Sequence, residues 1–194
     1  MLYLPSDLTP QEEQARDIMV HLFNPVLKFI FLNQNYVTFK QYGFNSCRQT
    51  AILGAGYLRK LLPDYNIRVC EGQFVERIDE KFTPYIHAFI LASKNERTLI
   101  IDLSRTEKRL LFAPAWPGIY PTTDDYQDMI LVNFVPIDLD EMLNTNEPEF
   151  ISGYIPRQLM EAIEDLIAEL KELPKKQQLE FCDKIYSETT RLRR

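Results

Sequence analysis

Two short strand-like runs joined by a polar turn place the tightest constraint on this chain. Tyr85-Ile86-His87-Ala88-Phe89-Ile90-Leu91 and Thr98-Leu99-Ile100-Ile101-Asp102-Leu103 are mostly aliphatic and aromatic, and Ser93-Lys94-Asn95-Glu96 lies between them. Runs of this kind read as the two arms of a β-hairpin. With Lys94 and Asn95 as the central turn residues, His87 falls directly opposite Asp102 on the same face, Cβ atoms roughly 5 Å apart. A four-residue loop centred on the same bond keeps that register. A three-residue loop would shift pairing by one and send the two side chains to opposite faces.

Helices flank the strands. Thr9-Pro10-Gln11-Glu12 combines an N-cap, a proline at the first helical position and a capping-box Glu. The helix it opens carries Ala15, Ile18, Met19 and Leu22 on one stripe and is expected to end or kink before Pro25. From Val26 to Phe44 a short helix and then an extended run are expected. Asn45 or Ser46 caps a second helix from about Cys47 to Leu62, closed by Pro63-Asp64. Its buried side holds Ala51, Leu58, Leu62, Gly54 and Gly56. The two glycines each cost roughly 1 kcal/mol of helix propensity and imply close contact with a sheet.

Strands are expected at Ile67 to Glu71, Gln73 to Ile78, Tyr85 to Ala92, Arg97 to Leu103 and Met129 to Val135, the last before Pro136. The segment from Phe112 to Tyr126, with Pro114, Trp116, Pro117, Tyr120 and Pro121, reads as a loop, and Asp138 to Glu149 as an acidic turn. After Pro156 the pattern is helical, with Leu159, Ile163, Leu166, Ile167 and Leu170 in one stripe. After Pro174 a further helix bears Leu179, Cys182, Ile185 and Tyr186. The fold class is therefore α+β: residues 1–150 form one domain of N-terminal helices on an antiparallel sheet, and residues 151–194 a C-terminal helical segment packed on it.

Composition narrows the function classes. A chain of 194 residues, 45% hydrophobic and 26% charged, is long and ordinary enough for a soluble globular core. Its net charge of −6 argues against nucleic acid or an anionic membrane as partner. The basic tail Arg191-Leu192-Arg193-Arg194 is read as a solvated end. The start, Met1-Leu2-Tyr3-Leu4-Pro5-Ser6, lacks a basic leader, and the apolar run from Val26 to Leu32 is too short to span a bilayer. Three irregularly spaced cysteines make neither a disulfide framework nor a zinc site. No cofactor or metal is expected, and the protein reads as cytoplasmic with reduced thiols.

Cys47 at the mouth of a helix is the candidate nucleophile. A free thiol, with a pKa of about 8.5, is mostly protonated at neutral pH. The helix N-terminus and a neighbouring imidazolium both favour the thiolate. His87 can supply that imidazolium, and Asp102 can accept a hydrogen bond from its second ring nitrogen. Such a trio suits attack on an amide, ester or thioester carbonyl. The oxyanion that forms needs donors, for which the Cys47 backbone N–H and Gln41, six positions upstream, are candidates.

The string Gln41-Tyr-Gly-Phe-Asn-Ser-Cys47-Arg-Gln-Thr-Ala51, then His87-Ala88-Phe89, then Asp102 at a strand end resembles the papain-like cysteine-enzyme superfamily. It is most similar to transglutaminase-like domains and to bacteriocin-processing peptidases, over Gln41 to Leu103. The resemblance implies Cys47 as nucleophile, His87 as general base, Asp102 as its orienting acid and Gln41 as oxyanion donor. It implies a papain-like or transglutaminase-like fold and a peptide or protein substrate. The expected function is a cysteine hydrolase or acyltransferase acting through a thioester. The alternative is a catalytically inactive module of the same fold that binds a peptide or protein.

Other residues carry weaker signals. Trp116 and Tyr120 can line a substrate cleft or pack as a lid over the sheet edge, and Asn45, beside the nucleophile, is a further candidate substrate contact. The C-terminal helices can offer a face to a protein partner. His21, Cys70 and Cys182 read as structural, and Asp124, Asp125 and Asp128 as a solvated acidic turn rather than a calcium loop.

Overall fold

The hairpin forms, but it turns one residue later than the strand pattern suggests. The computed structural model describes residues 7–34, 47–78, 81–103, 111–115, 129–146 and 155–191. In it β2 (Lys81–Lys94) and β3 (Arg97–Asp102) pair antiparallel with Lys94 opposite Arg97 and Leu91 opposite Ile100, so Asn95 and Glu96 are the central turn residues. Asn95 has φ 54°. Tight hairpins require positive φ at the first central position, and Asn tolerates it where Lys does not. The side chain that accepts the left-handed conformation therefore sets the register.

The sheet has five strands in the order β4-β3-β2-β1-β5, antiparallel throughout, with β1 spanning Asn66–Ile78, β4 Leu111–Ala115 and β5 Met129–Ile137. Four differences from the sequence reading have physical causes. The two segments expected on either side of Gly72 are one strand, because Gly72 stays in the ladder with His87 on one side and Phe134 on the other. Residues 112–115, read as the start of a loop, join Leu111 in the outer strand β4. Pro114 is tolerated there because an outer strand needs hydrogen bonds along one side only. Pro136 likewise lies within β5, the other outer strand, rather than after it. The acidic turn contains a short helix, α4 (Leu139–Asn144), capped by the Asp138 carboxylate, which accepts from the N–H groups of Asp140 at 3.1 Å and Glu141 at 3.0 Å.

The N-terminal helix α1 (Pro10–Ile18) begins with the full capping box: Glu12 N–H donates to Thr9 Oγ1 and Thr9 N–H to the Glu12 carboxylate. As expected, its α-helical geometry ends before Pro25, at Ile18, though the chain stays helical. A π-helical turn, Met19–Phe23, leads into α2 (Asn24–Gln34), with the Asn24 N–H donating to the Met19 carbonyl. The widened turn absorbs the proline, which has no N–H to give. His21 sits in that turn, half-buried.

Helix α3 (Cys47–Leu61) is the centre of the core. Ile52, Leu53, Ala55 and Leu58 are fully buried, in one cluster with Val69, Ala88, Ile90 and Ile101 of the sheet and with apolar residues of α2. From α5 (Pro156–Glu172), Leu159, Ile163, Ile167 and Leu170 enter the same cluster. In α6 (Lys175–Arg191), Cys182, Ile185 and Tyr186 are buried, but Leu179, expected with them, is 43% exposed. Cys70 in β1 is buried as expected. Among the described residues no helix is long and apolar enough to cross a membrane.

A polar clamp ties α1 to the hairpin. Glu12 is fully buried, and its carboxylate takes two bonds from Arg97 at 2.6 and 2.7 Å and one from Tyr65 Oη at 2.8 Å; Arg97 also donates to the Asp7 carbonyl. Burial alone would push this carboxyl up, but the bonds from Arg97, the Thr9 N–H and Tyr65 outweigh it and hold its pKa below the ordinary value. Its stabilisation is complete above the ordinary carboxyl range and is lost as pH falls through the lowered value. Glu12→Ala should cost about 3 kcal/mol at neutral pH in a urea titration, because Arg97 and Tyr65 lose their acceptor.

Gly54 lies against the sheet so closely that a Cβ there would overlap Leu103 Cδ1, with Ile90 Cδ1 also at 3.3 Å. At Gly56 the nearest atoms would be the Leu143 methyls at 3.2 and 3.3 Å. Gly54→Ala should destabilise by about 1–3 kcal/mol despite its better helix propensity. Gly56→Ala should be near neutral, as thermal unfolding of the two variants will show.

Candidate active site

The site forms where the start of α3 meets the middle of β2. Alternation along β2 puts Ala88, Ile90 and Ala92 toward the helices and His87 and Phe89 on the opposite face. Because the turn is at Asn95-Glu96, Asp102 is not directly opposite His87. Carried one step beyond its last pair, Ile90–Ile101, the ladder would set Asp102 against Phe89, with His87 diagonal to it. The slip moves both strands together and so preserves the shared face. Diagonal neighbours lie within reach of long side chains. His87 Nε2 donates to Asp102 Oδ2 at 2.6 Å, with the two side chains 3% and 1% exposed. Such a short contact in a dry setting is a charge-assisted bond.

Besides the bond to Asp102, His87 interacts with the Cys47 sulfur, and each group favours the charged form of the other. Cys47 is the first residue of α3 and is half-buried. The β2–β3 ladder ends at Ile90–Ile101, which lets α3 bring its first residue to β2, where the Ala88 N–H donates to the sulfur. The Arg48 N–H, one of the unsatisfied donors of a first helical turn, adds a second backbone bond.

Electrostatics follow from these contacts. Burial disfavours the imidazolium, but the bonds to Asp102 and Cys47 and their negative charges prevail and raise the His87 pKa to about 9. Burial likewise disfavours the thiolate, yet the hydrogen bond from His87, the Ala88 N–H and the imidazolium charge bring the Cys47 pKa below its ordinary value. Cys70 provides the contrast. Buried without such partners, its thiol is pushed up to about 11.

The acid is anchored from behind. Leu103, the residue after Asp102, packs against Gly54 of α3. In the amide orientation its neighbours require, buried Asn24 donates to the Leu103 carbonyl at 3.3 Å and accepts from Lys28 Nζ at 3.1 Å. Lys28 in turn lies over the Tyr186 ring, 4.8 Å from its centre. The chain direction at Asp102 is thus held by α2, α3 and α6 together.

Of the sequence candidates, the structure brings together Cys47, His87 and Asp102. Gln41, Asn45, Trp116 and Tyr120 lie outside the described residues, as do Asp124, Asp125 and Asp128. Two partners of the sulfur, the N–H groups of Ala88 and Arg48, left no trace in the sequence. A third neighbour, the ion pair from Arg48 Nε to Glu71 Oε1 at 3.2 Å, joins α3 to β1 beside the nucleophile.

The paired shifts fix a sign. Thiolate and imidazolium coexist from the lowered Cys47 value up to about 9, where His87 loses its proton. Iodoacetamide should therefore alkylate Cys47 with an inflection below the ordinary thiol value of about 8.5. His87→Ala and Asp102→Asn should both move that inflection upward, measured as alkylation rate against pH.

Compared with protein-family models the chain matches no family, and compared with curated proteins and with solved structures it is significantly similar to none.

Proposed function

We propose that this protein is a cysteine hydrolase (a peptidase or amidase) or an acyltransferase that forms a thioester on Cys47, in a papain-like domain nearest the transglutaminase-like branch. The observation that carries this reading is the buried 2.6 Å bond between His87 and the Asp102 carboxylate, with the Cys47 sulfur close enough to His87 for each to favour the other's charged form. A couple whose thiol is lowered while its imidazole is raised is prepared for nucleophilic attack and proton return. The element order supports the branch: nucleophile on the first turn of a helix, then imidazole and acid on consecutive antiparallel strands.

In the reactive form the sulfur is ionised and His87 is protonated, the form that both shifts favour. The thiolate attacks the carbonyl carbon, and the carbonyl π electrons move to oxygen. The Cys47 N–H, at the start of α3, is the candidate donor to that oxyanion. As the carbonyl re-forms, the bond to the leaving group breaks, and the proton on His87 passes to the departing amine, alkoxide or thiolate. The acyl group remains on sulfur as a thioester. Neutral His87 then takes a proton from water as it attacks, releasing the acid and restoring thiolate and imidazolium. An amine in place of water completes acyl transfer by the same electron flow. Asp102 stays ionised throughout, holding the ring in its tautomer.

p-Nitrophenyl acetate tests the reading. A burst of p-nitrophenol should accompany acetylation of Cys47, followed by turnover that declines as pH rises through about 9. Cys47→Ala should abolish the burst, and His87→Ala should lower turnover by about 10²–10⁴-fold. Added hydroxylamine will divide hydrolysis from transfer through its share of product. Acetylation that never turns over would instead assign the domain a binding role.

A further inference from the structure

The proline at the start of α2 deprives a carbonyl of its helical donor, and the C-terminal helix supplies another. In the π turn the Asn24 N–H reaches back five residues to the Met19 carbonyl. The next bond of that pattern would run from residue 25 to the Val20 carbonyl, but Pro25 has no N–H. A carbonyl that loses its helical donor needs a different one. Here it comes from α6: Tyr186 Oη donates to the Val20 carbonyl at 2.8 Å, and Cys182 Sγ lies 3.9 Å from it. The widened turn is thus the seat of α6.

Tyr186 Oη also lies 3.2 Å from the Asn24 carboxamide. Asn24 is fully buried, and its two polar ends are not interchangeable. A lysine ammonium can only donate, so Asn24 Oδ1 faces Lys28 Nζ at 3.1 Å and Nδ2 turns to the Leu103 carbonyl at 3.3 Å. Leu103 directly follows Asp102. One hydroxyl of α6 and one carboxamide of α2 therefore link the C-terminal helix to the acid that charges His87. The helix at the far end of this link is lightly held. Its buried side chains Cys182, Ile185 and Tyr186 lie outside the main buried cluster, which Leu159, Ile163, Ile167 and Leu170 of α5 enter. Elements held in this way open at lower free energy than the core.

We infer that α6 is a control element of the Cys47 site: seated on Val20, it holds Asn24 against the Leu103 carbonyl and so holds Asp102 against His87. Tyr186 and Asn24 are then positioning residues, and lifting α6 lowers the reactivity of the sulfur. The inference rests on Cys47 acting as the nucleophile and specifies what regulates it. A short charge-assisted bond weakens steeply as its partners drift, so a small displacement of the Asp102 segment suffices. With α6 away, the Val20 carbonyl and the Asn24 carboxamide both lose the Tyr186 hydroxyl, and the segment after Asp102 loses its fixed donor.

Two near-isosteric variants of the full chain test this. Tyr186→Phe removes only the hydroxyl. Asn24→Asp keeps the shape and gives Lys28 a carboxylate, but sets an acceptor where the Leu103 carbonyl needs a donor. Both should slow Cys47 alkylation by iodoacetamide at neutral pH about three- to tenfold and move its pH inflection upward, as Asp102→Asn does. Leu179→Ala, exposed on the same helix, should leave both at wild-type values. The second readout is the NMR signal of the proton between His87 Nε2 and Asp102, sought in a chain with only two histidines. It should move upfield in both variants, and it arises from folded molecules alone, so partial unfolding does not mimic the effect. Inflection and ring signal left at wild-type values in either variant overturn the inference while leaving a reactive Cys47 in place. A wild-type Cys47 that reacts like an ordinary thiol overturns the nucleophile, and the control of its reactivity with it.

Discussion

The bond between His87 and Asp102 is the contact on which the rest of the site depends. Both groups are almost wholly removed from water, so neither can be charged without the other. At 2.6 Å the carboxylate repays the cost of keeping the imidazole protonated, and the protonated ring then stabilises a thiolate at Cys47. Remove the acid, and burial, the largest influence on the ring, would drive it toward neutrality. The fold invests accordingly in holding the acid still. The segment after Asp102 is fixed by a close helix packing at Gly54 and by a buried amide at Asn24.

Much of the trio was legible in the residues. The pairing of His87 with Asp102 follows from two alternating runs and a short turn, since moving a two-residue turn by one position preserves which face each side chain occupies. What the pattern left open was which residue takes positive φ, and Asn95 decides it. The start of α3 at Cys47 was legible from the helical run beginning there. That α3 reaches β2 at Ala88 was not, because it depends on where the β2–β3 ladder ends, a matter of tertiary structure. The Glu12–Arg97 clamp was hidden for the same reason. Its partners are far apart in sequence, and nothing local marks Glu12 as more than a capping residue.

Two of the prolines misled in one direction. Pro114 and Pro136 each suggested an end to regular structure, and each lies inside an element; before Pro25 the expected end or kink is there, as the end of α1 and a π turn. At Pro25 a π turn makes room, and at the other two the strand is an outer one. Proline forbids a particular hydrogen bond, so its meaning depends on whether that bond was needed. Gly72 misled in the same way by suggesting a break where β1 continues between its two neighbours.

The placement of Pro114 and Pro136 has a consequence for recognition. Among the described residues, β4 and β5 are the margins of the sheet, and each margin carries a residue that cannot donate a main-chain hydrogen bond. Annealing a foreign polypeptide as a sixth strand would leave a gap in the new ladder on either side. Discrimination among incoming chains is then left to side chains met on the broad surface of the sheet. The same two residues guard against edge-to-edge stacking of one molecule on another.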